Sequence, residues 1–188
     1  MKKAIAILTV LVMILTCCAA FAETSLANLN FTVEDFKTFF SPLADGTDLA
    51  YKWAEEPLYT FDYPMYYATN EAQNVFVVIH APDGIIGIET DVFTTTADLQ
   101  DVEFGTEYVT VMIGAAYSAF DLQHPESTES DIRAATANIT ELLNNLDNVD
   151  VEGVPTAYTM DLCDDLVINL EWQIQGEDIA VFCTVIAK

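Results

Sequence analysis

Residues 166–187 read LVINLEWQIQGEDIAVFCTVIA. Leu166, Ile168, Leu170, Trp172 and Ile174 alternate with Asn169, Glu171 and Gln173. A period of two turns the first set toward a core and the second toward water, which is a half-buried strand. Gly176-Glu177 then suits a two-residue hairpin turn, and a second apolar strand returns over about Ile179 to Ala187. In that register Cys183 stands opposite Leu170. Upstream, Val154 to Leu162 reads as a third strand. Asp164-Asp165 serves as its turn, which sets Cys163 opposite Leu166.

Working outward, Glu129 to Leu146 is a helix. Thr128 and Asp131 form a capping pair, and Ile132, Ala135, Ile139, Leu142, Leu143 and Leu146 make one apolar stripe. Phe104 to Phe120 is rich in Ala and apolar nearly all round, the pattern of a helix buried between layers or in an interface. Asn74 to His80 and Ile85 to Phe93 form a hairpin around Ala81-Pro82-Asp83-Gly84. Leu58 to Tyr67 alternates as one edge strand, with Tyr59, Phe61, Tyr63, Met65 and Tyr67 on the core side. Thr32 to Phe40 is a short helix capped by Thr32 and Asp35, with Ser41-Pro42 ending it.

The order is α-βββ-αα-βββ. It predicts an α+β domain: antiparallel sheet of about six strands with three helices packed on one face. The order is compatible with a helix-plus-three-strands unit used twice, a topological repeat only, since no residues match between the halves. Residues 23–188 contain no Pro/Gly/Ser-rich linker and read as one compact domain.

Residues 1–22, MKKAIAILTVLVMILTCCAAFA, have the layout of a secretory signal peptide. Lys2 and Lys3 precede an apolar run, and Ala20-Phe21-Ala22 supplies the small-residue cleavage site. Localisation is therefore expected to be secreted, periplasmic or at the cell surface. A lipoprotein would use Cys17 or Cys18, but Thr16 or Cys17 then stands where a small residue is needed. Ala4 to Ala22 just reaches the length of an uncleaved anchor, against which Thr9, Thr16 and the small-residue end argue.

The whole chain has a formal charge of -24. Beyond Ala22, four basic residues (Lys37, Lys52, Arg133, Lys188) face 30 acidic ones, a formal -26. No basic face can be built from these, which argues against nucleic acid and against anionic membrane surfaces. Cationic partners, divalent ions and neutral ligands stay open. The chain is 52% hydrophobic and 11% aromatic, so a packed core rather than an acidic disordered tail is expected.

Two cysteines remain beyond residue 22, Cys163 and Cys183. An exported chain permits a bridge between them. The registers above set them roughly 13 Å apart along a strand, whereas a bridge needs less than about 7 Å. Both alternatives stay open at this level.

Trp53, Tyr66 and Tyr67 are the candidate ligand-binding residues, since aromatic faces beside carboxylates suit sugars or cations. Asp161, Asp164 and Asp165 cluster near a turn and are candidates for weak Ca2+ binding, the one cofactor expectation. Residues 148–153, NVDVEG, imitate the start of a calcium loop, but Thr159 stands where its last Glu belongs. His80 and His124 are the only histidines, and no HExxH, CxxC or GxSxG occurs. Zinc is not expected from this spacing, and no catalytic residue is assigned. The expectation is an exported, acidic, non-enzymatic binding or structural domain with an aromatic-lined site for a neutral or cationic ligand. Two alternatives are a small extracytoplasmic hydrolase with an Asp/Glu acid–base pair, and an assembly partner docking through the 104–120 helix.

Overall fold

The computed structural model describes residues 27–44, 51–59, 63–95, 102–144 and 156–188. The signal-like segment 1–22 and the calcium-loop imitation 148–153 lie outside them. The described elements are α1 (Val33–Ala44), β1 (Lys52–Trp53), β2 (Leu58–Tyr59), β3 (Pro64–Thr69), β4 (Val75–His80) and β5 (Gly87–Thr95). They continue with α2 (Val102–Gln123), α3 (Glu129–Leu143), β6 (Thr156–Asp161), β7 (Leu166–Gln175) and β8 (Asp178–Ala187).

The class is α+β. One antiparallel sheet runs β1-β3-β4-β5-β8-β7-β6, with β2 also paired to β3. Two meanders, β3–β5 and β6–β8, meet along the central pair β5–β8, in register from Gly87↔Ile186 to Thr95↔Asp178. α1, β1 and β2 precede the first meander and α2 and α3 the second.

The central registers explain the core. Ile88, Thr90 and Val92 stand opposite Val185, Cys183 and Val181, and these in turn face Ile168, Leu170 and Trp172. This face is covered by the three helices. Met112, Ala115, Ala119 and Phe120 of α2 are buried on it, as are Phe36 and Phe40 of α1 and Ile139 and Leu142 of α3. Each large side chain buried this way contributes roughly 1.5–3 kcal/mol. The all-round apolar pattern of α2 follows from its place, since it touches β5, β8, α1 and α3. Both expected capping boxes form: Thr32 with Asp35 and Thr128 with Asp131.

Eight described strands replace the expected six or so, because Lys52–Trp53 forms β1 beside β3 and the 58–67 stretch is not one strand. Leu58 pairs with Met65 and Tyr59 with Pro64, so the chain reverses between β2 and β3. Tyr59 is exposed in consequence, and Tyr66, not Tyr67, packs against the helix-side core. α1 runs past Pro42 to Ala44. The expected hairpin β7–β8 forms with Gly176 at φ 67°, a left-handed position that favours glycine, and Cys183 does stand opposite Leu170. The β6–β7 turn is one residue longer than two. Leu162 N–H donates to Leu166 O, so Cys163, Asp164 and Asp165 form the loop between them.

The second face of the sheet carries no helix among the described residues, yet its middle is buried. Val78, His80, Glu89, Asp91 and Phe182 lie on it.

Candidate functional site

The α2–α3 connection and the β6–β7 turn meet at one corner of the molecule. α2 ends at Gln123 because Pro125 follows, and a proline cannot supply the next helical N–H. His124 is thereby left at the helix end. Its backbone N–H donates to Phe120 O, and its ring lies 5.3 Å from the Phe120 ring. Ser127 Oγ and Ser127 N–H both donate to His124 O.

The β6–β7 turn is fixed from the other side. Lys188 N–H donates to Asp165 O, Lys188 Nζ donates to Cys163 O, and Lys188 Nζ pairs with Asp161 at 2.9 Å. Asn138 of α3 donates to Asp161 O and Leu162 O. A turn held at so many backbone atoms presents its side chains in fixed positions.

His124 Nε2 lies 2.8 Å from Asp165 Oδ1 and 3.4 Å from Cys163 Sγ. The thiol donates to the same Asp165 oxygen at 3.2 Å. Gln123 Nε2 donates to Asp165 Oδ2 at 3.1 Å. Burial alone would raise the Asp165 carboxyl, but the bonds from Gln123, Cys163 and His124 outweigh it and hold it below the ordinary range. Burial pushes the Cys163 thiol up, and its bond to Asp165 adds to the effect.

Beside this triangle opens a cavity of about 680 Å3. Phe120, Ala135 and Leu162 supply apolar wall; Glu126, Asp131 and Asp164 supply carboxylates; and His124 and Cys163 line it as well. No Lys or Arg is among its lining residues.

The wiring differs from that of a Cys-His-Asp catalytic triad. Such a triad uses the two ring nitrogens separately, one toward the nucleophile and one toward the carboxylate. Here thiol and carboxylate share one nitrogen, Nε2. A reactive cysteine also needs a lowered pKa, and this one is raised.

The residues singled out from sequence are distributed as follows. Trp53 and Tyr66 come together, and Lys37 fills the space between them, its Nζ 5.4 Å from the Trp53 ring and 4.9 Å from the Tyr66 ring. Tyr67 lies on the other face of the sheet, opposite Val78. Asp161, Asp164 and Asp165 do not converge: Asp161 pairs with Lys188, Asp164 lines the cavity, and Asp165 meets His124. Cys163 and Cys183 are both free thiols. The reason is the separation along the strands, because Cys183 stands opposite Leu170 while Cys163 lies in the turn beyond Leu166.

Sequence reading missed the meeting of His124 with Cys163 and Asp165, 39 and 41 residues away. The signal present was that each lies where a regular element ends. Compared with known proteins, the chain matches no family model, no curated protein and no solved structure.

Proposed function

We propose that the chain is an exported, acidic, non-enzymatic binding protein, and that the cavity at the α2–α3 connection takes a neutral or cationic small ligand. The observation that supports this best is the cavity itself: about 680 Å3, within the range of small-molecule sites, with carboxylates and neither Lys nor Arg among its lining residues. An anionic ligand would meet Glu126, Asp131 and Asp164 without a compensating charge. Export rests on the signal-like layout of residues 1–22. The assembly alternative required an exposed 104–120 helix, and the inward residues of α2 are covered within the chain. The aromatic alternative, Trp53 with Tyr66, already holds Lys37.

The test is a melting screen against neutral sugars, small amines and cationic peptides, with dicarboxylates as anionic controls. A stabilising ligand should lose its effect in Ala134→Trp, which fills the cavity from an exposed wall position. Ligands that stabilise both proteins equally would overturn the assignment to this cavity.

A further inference from the structure

We infer that His124, Cys163 and Asp165 form a site for a divalent transition-metal ion of the zinc class, set in the wall of the cavity. The inference deepens the binding reading by giving the cavity an ion, and it can fail separately from it.

The donor set comes first. Imidazole nitrogen, thiolate sulfur and carboxylate oxygen together suit zinc and its borderline neighbours. Calcium and magnesium take oxygen ligands instead. Among the described residues, these three form the one group of His, Cys, Asp or Glu whose ligand atoms all lie within 4.8 Å of one another.

The distances come second. Around a tetrahedral zinc ion, ligand atoms of these kinds lie roughly 3.3–3.6 Å apart, given metal–ligand bonds of about 2.0–2.3 Å. The edges here are 2.8, 3.2 and 3.4 Å. The triangle needs to open by no more than about half an ångström. A nucleophile–base pair explains the shared nitrogen poorly, whereas three ligand atoms this close together suit one ion.

The support around the donors comes third. Gln123 holds the second oxygen of Asp165, and Lys188 and Asn138 hold the turn through backbone atoms. None of these bonds must break when an ion enters. Such outer contacts orient ligands and typically carry 10–100-fold in affinity.

On binding, the thiol proton leaves to solvent, the Nε2 proton that bonds Asp165 gives way as the imidazole takes its Nδ1–H tautomer, and the freed sulfur and Nε2 pairs are given to the ion. Thiolate and carboxylate then balance the ion's two charges. Three protein ligands leave a fourth position. Because His124 and Cys163 line the cavity, a water or the cavity ligand completes the shell.

The test is Co2+ titration of the full chain with Cys17 and Cys18 replaced by serine, read by the thiolate-to-cobalt charge-transfer band. The band should appear at one equivalent and vanish on adding Zn2+. Cys163→Ser should abolish it, Asp165→Asn should weaken binding at least tenfold, and Gln123→Ala should weaken it roughly 10–100-fold. Cys183→Ala should leave it unchanged. Absence of the band, or its persistence in Cys163→Ser, would overturn the inference. An unchanged melting temperature for Cys163→Ser without metal shows that a lost band is not lost folding. Ala134→Trp separates the two readings: it should remove organic ligands while Co2+ still binds.

Discussion

His80 Nε2 lies 2.8 Å from Glu89 Oε2, and both side chains are buried on the sheet face that carries no described helix. The pair joins adjacent strands β4 and β5, and Tyr63 Oη stands 3.3 Å from the other ring nitrogen of His80. Removing one member leaves the other buried without this bond. Glu89→Ala is expected to cost about 1–3 kcal/mol, measured by urea unfolding. Glu89→Gln keeps a hydrogen-bond acceptor and should cost distinctly less. Equal losses would show that the bond to His80 carries none of the stability.

Asp91 lies on the same face, also buried, and its Oδ1 has no hydrogen-bond partner. Burial pushes its carboxyl well above the ordinary range, and the charge and hydrogen bond of Glu89 add to this. Glu171, half-buried on that face, is raised by burial and by Glu89 as well. A raised carboxyl binds more protons folded than unfolded. Its favourable contribution is therefore complete below the unfolded value of 3.8 and is lost as pH rises through the folded value. Stability should fall from mildly acidic to alkaline pH. Asp91→Asn should flatten that fall and stabilise the protein at alkaline pH, each displaced pKa unit being worth about 1.4 kcal/mol. A steeper fall in the variant would refute the assignment.

Lys37 bonds Glu34 at 3.1 Å while its Nζ lies over Trp53 and Tyr66. Lys37→Met should lower stability by about 0.5–1 kcal/mol through the lost cation–π contact. It should also change Trp53 fluorescence, with Trp172 as the unchanged buried reference. No change in either reading would mean that the ammonium does not sit on these rings.

The two described thiols should separate cleanly in native alkylation. Cys163 is half-buried at the cavity. Cys183 is buried, and burial followed by the charge of Glu89 pushes it up to about 12. Peptide mapping after iodoacetamide should find Cys163 modified slowly and Cys183 intact until the protein unfolds. Modification of Cys183 first would contradict the β7–β8 register.

Where the sequence carried local periodicity, the fold was legible in it. The alternation from Leu166 to Ile174 and the turn at Gly176 define β7 and β8, and the Thr128–Asp131 box starts α3 where expected. The alternation from Tyr59 to Tyr67 misled, because a period of two does not reveal a reversal between β2 and β3. The site was less legible for a different reason. The β1–β3 pairing brings Trp53 and Tyr66 together, but Lys37 of α1 takes the place over both rings, and Asp161, Asp164 and Asp165, though close in sequence, point to different partners. His124, Cys163 and Asp165 meet only because α3 and β6 bring two element ends to one corner. That closure is a long-range packing result, and no local spacing encodes it.

The most direct test of the central claim is to map binding on the full chain by amide 1H–15N spectra, titrating the best stabilising ligand from the neutral and cationic panel. The account predicts shifts concentrated in residues 120–138 and 161–165, around the cavity. Shifts centred on Lys37, Trp53 and Tyr66, with the α2–α3 corner silent, would contradict it.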